Sequence, residues 1–140
     1  MNKIIYSPGE PAGIGPDLII NLATTKTWEN LRIPIVTIGD PNLFLDRAKL
    51  LKKRVNIIEI KTIDEAESNT FGSIQIIKVL ECKSTSAGKL LKSNAKYVLD
   101  SLNYAIKETI VGKKTALVTG PLSKETIISI DKEFSGHTEY

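Results

Sequence analysis

Short apolar runs bounded by glycine and proline alternate along the chain with longer stretches in which apolar residues recur every three or four positions. The runs read as buried strands and the periodic stretches as amphipathic helices, because strand side chains repeat every two residues and helix side chains every 3.6. Residues 3–6 form the first run, broken by Ser7-Pro8-Gly9, and predict a buried strand. Residues 16–26 place Leu18, Ile19, Leu22 and Ala23 at helical spacing, with Pro16 tolerated in the first turn. A second strand is predicted over 33–38. Asp40 then occupies an N-cap position, Pro41 follows as the first helical residue, and Leu43, Phe44, Leu45, Ala48, Leu50 and Leu51 fill a helix face that ends in lysines.

Residues 55–60 predict a third strand, 63–70 a polar loop or short helix, and 73–80 a fourth strand. Between 86 and 110 the positions Leu90, Leu91, Ala95, Val98, Leu99, Leu102, Ala105 and Ile106 mark the clearest amphipathic helix. Residues 115–119 predict a last strand closed by Gly120-Pro121, and 123–130 a short helix. Strands alternating with helices predict an α/β fold, layered α/β/α around a mainly parallel sheet, in one domain over 1–140 with no repeat or linker.

Composition changes this picture little. A 140-residue chain of average hydrophobic and charged content can bury a real core. Its 19 basic and 16 acidic residues are scattered, apart from Lys49, Lys52, Lys53 and Arg54 at a helix end, where cations complement the helix dipole. No nucleic-acid partner is expected. No apolar stretch has the length of a membrane span and no signal peptide is read, so the expectation is a cytoplasmic protein with no membrane partner. Cys82 is the sole cysteine and reads as a partly buried structural thiol.

Three segments carry candidate chemistry. GEPAGIGPD, residues 9–17, lies between a strand and a helix, and its glycines and prolines suit a backbone that approaches a ligand and turns amides toward it. It lacks the third glycine of the dinucleotide fingerprint, so a standard Rossmann crossover is not supported. The plain alternative is a tight turn with no ligand. TGPLSK, residues 119–124, follows a strand, and Lys124 adds a point charge suited to phosphate or carboxylate. SGHTEY, residues 135–140, holds the only histidine; His137 and Thr138 can donate hydrogen bonds to an anion, but one histidine without partners makes no multi-histidine metal site. SAGKLL, residues 86–91, imitates the tail of a phosphate-binding P-loop, yet Lys83 stands at its first glycine position and Leu90 replaces the Ser/Thr, which argues against a nucleoside triphosphatase.

In order and spacing, GEPAGIGP, TSAGKLLKSNAKYVLDSLNYAI, TGPLSK and FSGHTEY together resemble the 4-hydroxythreonine-4-phosphate dehydrogenase family, and the resemblance runs from Lys3 to Tyr140. Tyr140 stands where that family usually has Phe. GIGPD is also similar to the GIGPE loop of isocitrate and isopropylmalate dehydrogenases, which implies their fold, here the first domain only, and their non-Rossmann manner of binding NAD. The resemblance implies NAD-dependent oxidation and decarboxylation of 4-phosphooxy-L-threonine to 3-amino-2-oxopropyl phosphate in pyridoxal phosphate synthesis, by a homodimer that uses a divalent metal (Zn, Mg or Co) as Lewis acid. It places His137, Thr138 and Lys124 at the substrate and Gly13 and Ile14 at the cofactor. The family's metal-ligand histidines and second domain lie after the GHTE segment, so this chain is expected to be an N-terminal portion with no metal ligand of its own, inactive alone and prone to associate through uncovered apolar surface. Two rivals stand beside it: a dehydrogenase of threonate or erythronate 4-phosphate, and a non-catalytic remnant or phosphometabolite-binding module.

Overall fold

The computed structural model describes residues 2–83 and 85–140. Among these residues five parallel strands, β1 (Lys3–Ser7), β2 (Ile35–Ile38), β3 (Asn56–Glu59), β4 (Ser73–Ile77) and β5 (Thr115–Thr119), form one sheet in the order β3-β4-β2-β1-β5. Parallel neighbours cannot be joined by a tight hairpin, so the chain crosses over between strands: α1 (Gly15–Ala23) and α2 (Lys26–Asn30) lie between β1 and β2, α3 (Pro41–Leu50) between β2 and β3, a loop with a 3₁₀ turn at Ile63–Glu65 between β3 and β4, and α4 (Ala95–Val111) between β4 and β5. A final short helix, α5 (Lys124–Ile128), follows β5. The layered α/β architecture with a parallel sheet is therefore present.

Strand alternation divides the core. Ile4, Tyr6, Ile35, Ile74 and Ile76 pack with Ile19, Ile20, Trp28, Phe44 and Ala48 of α1, α2 and α3. Ile5, Val36, Ile38 and Ile77 point the other way, onto Ala105 of α4 and onto Ile63 and Ala66. Register aligns Ile4 with Ile35 on one side and Ala116 on the other, so β1 sits deep between β2 and β5.

Several expected boundaries shift, each for a physical reason. The first helix, expected to run to residue 26, stops at Ala23, and a separate helix that was not expected, α2, forms over residues 26–30 because Trp28 is buried with its indole N–H donating to Ser73 O at 3.0 Å. On α3 the stripe is narrower than expected: Leu45 and Leu50 face water, while Arg47 takes a buried place beside Phe44 and Ala48. The long helix begins at Ala95 rather than near 86, because Leu90 and Leu91 stay exposed and residues 92–94 make a 3₁₀ turn whose buried Asn94 holds both backbone groups of Lys83. The apolar spacing upstream of 92 finds no surface to pack on.

The β5 edge leaves one area uncovered. Val118 is 46% exposed, and with Leu18, Leu22, Ile4 and Pro121 it lines an apolar groove of about 310 Å³ between α1 and the sheet. Among the described residues no helix is long and apolar enough to cross a membrane.

Candidate functional site

Ligand sites in open parallel sheets lie beyond the carboxyl ends of the strands, where loops converge. Here β1 and β5 are neighbours, so the loops leaving them meet. Glu10 N–H donates to Pro121 O at 3.0 Å, and Gly120 N–H donates to Ser7 O at 2.8 Å. The fit admits no side chain at the glycines: a Cβ on Gly9, which has φ +82°, would lie 2.3 Å from Pro121 O, and one on Gly120 would lie 2.2 Å from Pro8 O. Tyr6 beneath them donates its hydroxyl to Gly15 O at 2.9 Å, and burial raises its phenol to about 12, so it remains a donor.

The residue 9–17 loop has a different interior from the one expected. Its amides turn inward on Glu10: Ala12 N–H reaches Glu10 Oε1 at 3.1 Å and Gly13 N–H reaches Glu10 O at 3.0 Å. Gly13 O accepts from Arg47 Nη1 at 2.8 Å. Both backbone groups of Gly13 are thus committed inside the protein and offer no anion cradle, whereas Ile14 projects with 58% of its surface exposed. Glu10 itself is buried, its second carboxylate oxygen has no partner, and burial raises its pKa above the usual value near 4.5 against the opposing Ala12 hydrogen bond.

Lys124, His137 and Thr138 are brought together. They share with Pro121, Leu122, Ser135, Gly136 and Glu139 an open depression of about 400 Å³. Ser123 caps α5 by accepting from Thr126 N–H at 3.3 Å, which sets Lys124 in the first turn. Gly136, at φ +138°, lets the chain pass over that lysine: a Cβ there would sit 3.2 Å from Lys124 Cε. Phe134 is buried, its ring centroid 5.1 Å from that of Tyr140, and Tyr140 Oη donates to Asn103 Oδ1 on α4, so the segment is held at both ends. Partial burial lowers the His137 pKa from its usual 6.5, which leaves a neutral ring at neutral pH with one donor and one acceptor nitrogen. Gly13 and Ile14 do not line this depression; Gly13 O is bound to Arg47 on α3, and it is Gly9, earlier in the same loop, that approaches Pro121 at the depression's rim.

Cys82 is half-buried, and its thiol is pushed up to about 12 by burial first and by the Asp40 and Glu10 carboxylates next, against Arg47. That agrees with a structural thiol. The P-loop imitation is a turn whose Gly88 N–H donates to Ala12 O at 2.7 Å, a brace on the first loop rather than a phosphate loop. Among the described residues no group of three or more His, Cys, Asp or Glu could hold a metal ion.

Sequence reasoning missed Arg47, Glu10 and Asn94. A signal existed for the first: position 47 falls on the apolar stripe of α3 with 43, 44 and 48, and an arginine there is out of place unless paired.

The fold and this rim define an α/β protein of the open parallel-sheet class with its candidate site at the carboxyl ends of β1 and β5. A profile of the pyridoxal phosphate biosynthetic protein PdxA matches residues 30–140, and the chain belongs to that family. It is similar to the 4-hydroxythreonine-4-phosphate dehydrogenases of Pseudoalteromonas translucida, 39% identical over 138 residues, and Erwinia tasmaniensis, 35% identical over 138; each comparison takes in 99% of this chain and 41% of the relative. The crystal structure of the enzyme so named from Klebsiella pneumoniae superimposes with a TM-score of 0.87 at 23% identity, over 99% of this chain and 43% of that one, a likeness of fold. The chain thus spans about two-fifths of the length of the curated relatives it matches.

Proposed function

We propose that the intact protein oxidises and decarboxylates 4-phosphooxy-L-threonine with NAD, yielding 3-amino-2-oxopropyl phosphate for pyridoxal phosphate synthesis, as a cytoplasmic homodimer in which this chain supplies part of the substrate and cofactor surface. The observation that carries the reading is the meeting of Lys124, His137 and Thr138 in one depression at the carboxyl ends of β1 and β5. The name borne by the relatives supports it.

The ammonium of Lys124 is a point charge suited to the anionic end of the substrate. His137, neutral, and Thr138 each donate one hydrogen bond and can fix the orientation of a hydroxylated, phosphorylated chain. NAD, when bound, supplies the hydride acceptor. The loop fits that cofactor by surface contact, through exposed Ile14 and the side-chain-free Gly13, and not by an amide cradle, because the Gly13 amide is spent on Glu10. The described residues do not fit a divalent metal, so no step of this chain's chemistry is routed through one.

The test is turnover by the protein expressed from its whole coding region. NADH should form with 4-phosphooxythreonine, and Lys124→Ala should raise the KM for that substrate by roughly 10- to 100-fold, the worth of one hydrogen bond to a charged group. Faster turnover of threonate or erythronate 4-phosphate would move the assignment to the sugar-acid rival, and binding without turnover of either would support the non-catalytic module.

A further inference from the structure

We propose that Arg47 is a positioning residue: from α3 it sets the shape of the residue 9–17 loop and, through that loop, the approach of Gly13 and Ile14 to the cofactor. The inference rests on the reading of that loop as cofactor-facing. Arg47 is only 4% exposed, on the buried stripe of α3 between Phe44 and Ala48. Its Nη1 donates to Gly13 O at 2.8 Å and to Asp17 Oδ1 at 2.6 Å, and its Nη2 donates to Pro11 O at 2.5 Å. One rigid planar fork therefore fixes two loop carbonyls and the first turn of α1 relative to one another. A lysine could match the charge but not the fork, since its ammonium donates from a single point.

The loop's own contacts do not make this unnecessary. Glu10 braces residues 12 and 13 from inside the turn, and Gly88 N–H holds Ala12 O from the opposite side, but neither reaches Pro11 O, Gly13 O or Asp17. Were packing the only requirement at position 47, an aliphatic residue of similar volume would serve, because a buried ion pair is often no better for stability than apolar side chains in its place. The charge is explained by what it orients. Its surroundings are balanced for that role: Asp17 neutralises it directly, and Glu10 and Asp40 lie with it around Cys82.

The experiment compares amide hydrogen exchange and turnover in the whole protein for the wild type, Arg47→Met and Arg47→Lys. Exchange across residues 9–17 is expected to accelerate by about tenfold or more in Arg47→Met, with β1 and α4 unchanged, as local opening of one segment requires. Arg47→Lys, which keeps the charge and is the variant of choice if Arg47→Met does not fold, should accelerate the same segment to a lesser degree. In turnover the KM for NAD should rise several-fold while the KM for the phosphorylated substrate stays within about twofold, because Lys124 and His137 lie in a depression that the Gly13 side of the loop does not line. Unchanged exchange over 9–17 in a folded variant, acceleration spread over the whole sheet, or an altered loop with an unaltered KM for NAD would each overturn the proposal. Absence of NAD turnover by the wild type would instead defeat the functional reading and leave the exchange comparison to decide the loop.

Discussion

Asp40 ties Cys82 to the start of α3: its Oδ2 accepts the Cys82 backbone N–H at 2.9 Å while its Oδ1 accepts that of Asn42 at 3.0 Å. One buried carboxylate thereby caps a helix and anchors the strand-to-loop exit after β4. Asp40→Ala should destabilise the chain by about 3 kcal/mol, a lost cap plus a buried N–H left without a partner. Asp40→Asn keeps one acceptor for the cap but turns an NH2 group toward the Cys82 N–H, and should cost about 2 kcal/mol. Urea denaturation followed by far-UV circular dichroism reads the difference; equal losses for both variants would contradict the double role.

Gly15 leaves no room for a side chain. A Cβ there would stand 1.8 Å from Pro8 O, a backbone atom that cannot step aside alone. Gly15→Ala must therefore separate the exit of β1 from the start of α1, and a loss of about 2–3 kcal/mol in thermal or chemical unfolding is expected, the scale of an overpacked core. A substitution without measurable cost would show the contact to be looser than described.

The buried Glu10 carboxyl makes stability depend on pH. Its folded pKa lies above the usual value near 4.5, so its contribution is fully present below 4.5 and is lost as pH rises through the raised value. Subtracting the unfolding profile of Glu10→Gln, which retains an acceptor for Ala12 N–H, should isolate a component that falls with rising pH in that window. A flat difference profile would mean that the carboxyl ionises as freely folded as unfolded.

The groove beside β5 predicts self-association of the chain on its own. Val118 and Leu18 present apolar surface at an open strand edge, the arrangement that natural sheets normally cover or charge. Val118→Lys should shift the chain toward monomer in sedimentation velocity with little change in its unfolding midpoint. Association that persists unaltered would place the contact elsewhere.

Legibility in the sequence followed the range of the forces involved. The fifth strand was read at its observed bounds of Thr115–Thr119, and Asp40 with Pro41 marked the start of α3, because turn residues and caps act within three or four positions. The stretch before Ala95 was misread because Leu90 and Leu91 continue a helical spacing that no neighbouring surface rewards with burial. Leu50, 65% exposed, failed on α3 for the same reason, while Arg47 showed the converse, a charge drawn inside by three acceptors from 30 to 36 positions away.

The candidate site divides the same way. His137, Thr138 and Lys124 could be singled out as types and by family resemblance, and they do lie together. That Gly13 spends its amide on Glu10 and its carbonyl on Arg47 could not be read, since a glycine in a loop looks the same whether its backbone faces a ligand or the core.

By itself the chain determined its class: alternating periodicity, Gly/Pro punctuation and caps are local properties that suffice for a parallel α/β layer structure, and the ordered segments GEPAGIGP, TSAGKLLKSNAKYVLDSLNYAI, TGPLSK and FSGHTEY carry the resemblance to its family. The tertiary structure alone decided which apolar positions are buried, that β5 lies beside β1 and so joins the Gly9 and Gly120 bends, and that Arg47 reaches across to the first loop. Those outcomes depend on contacts between distant segments, where burial and hydrogen-bond satisfaction are settled by the partner that arrives and not by the residue that waits.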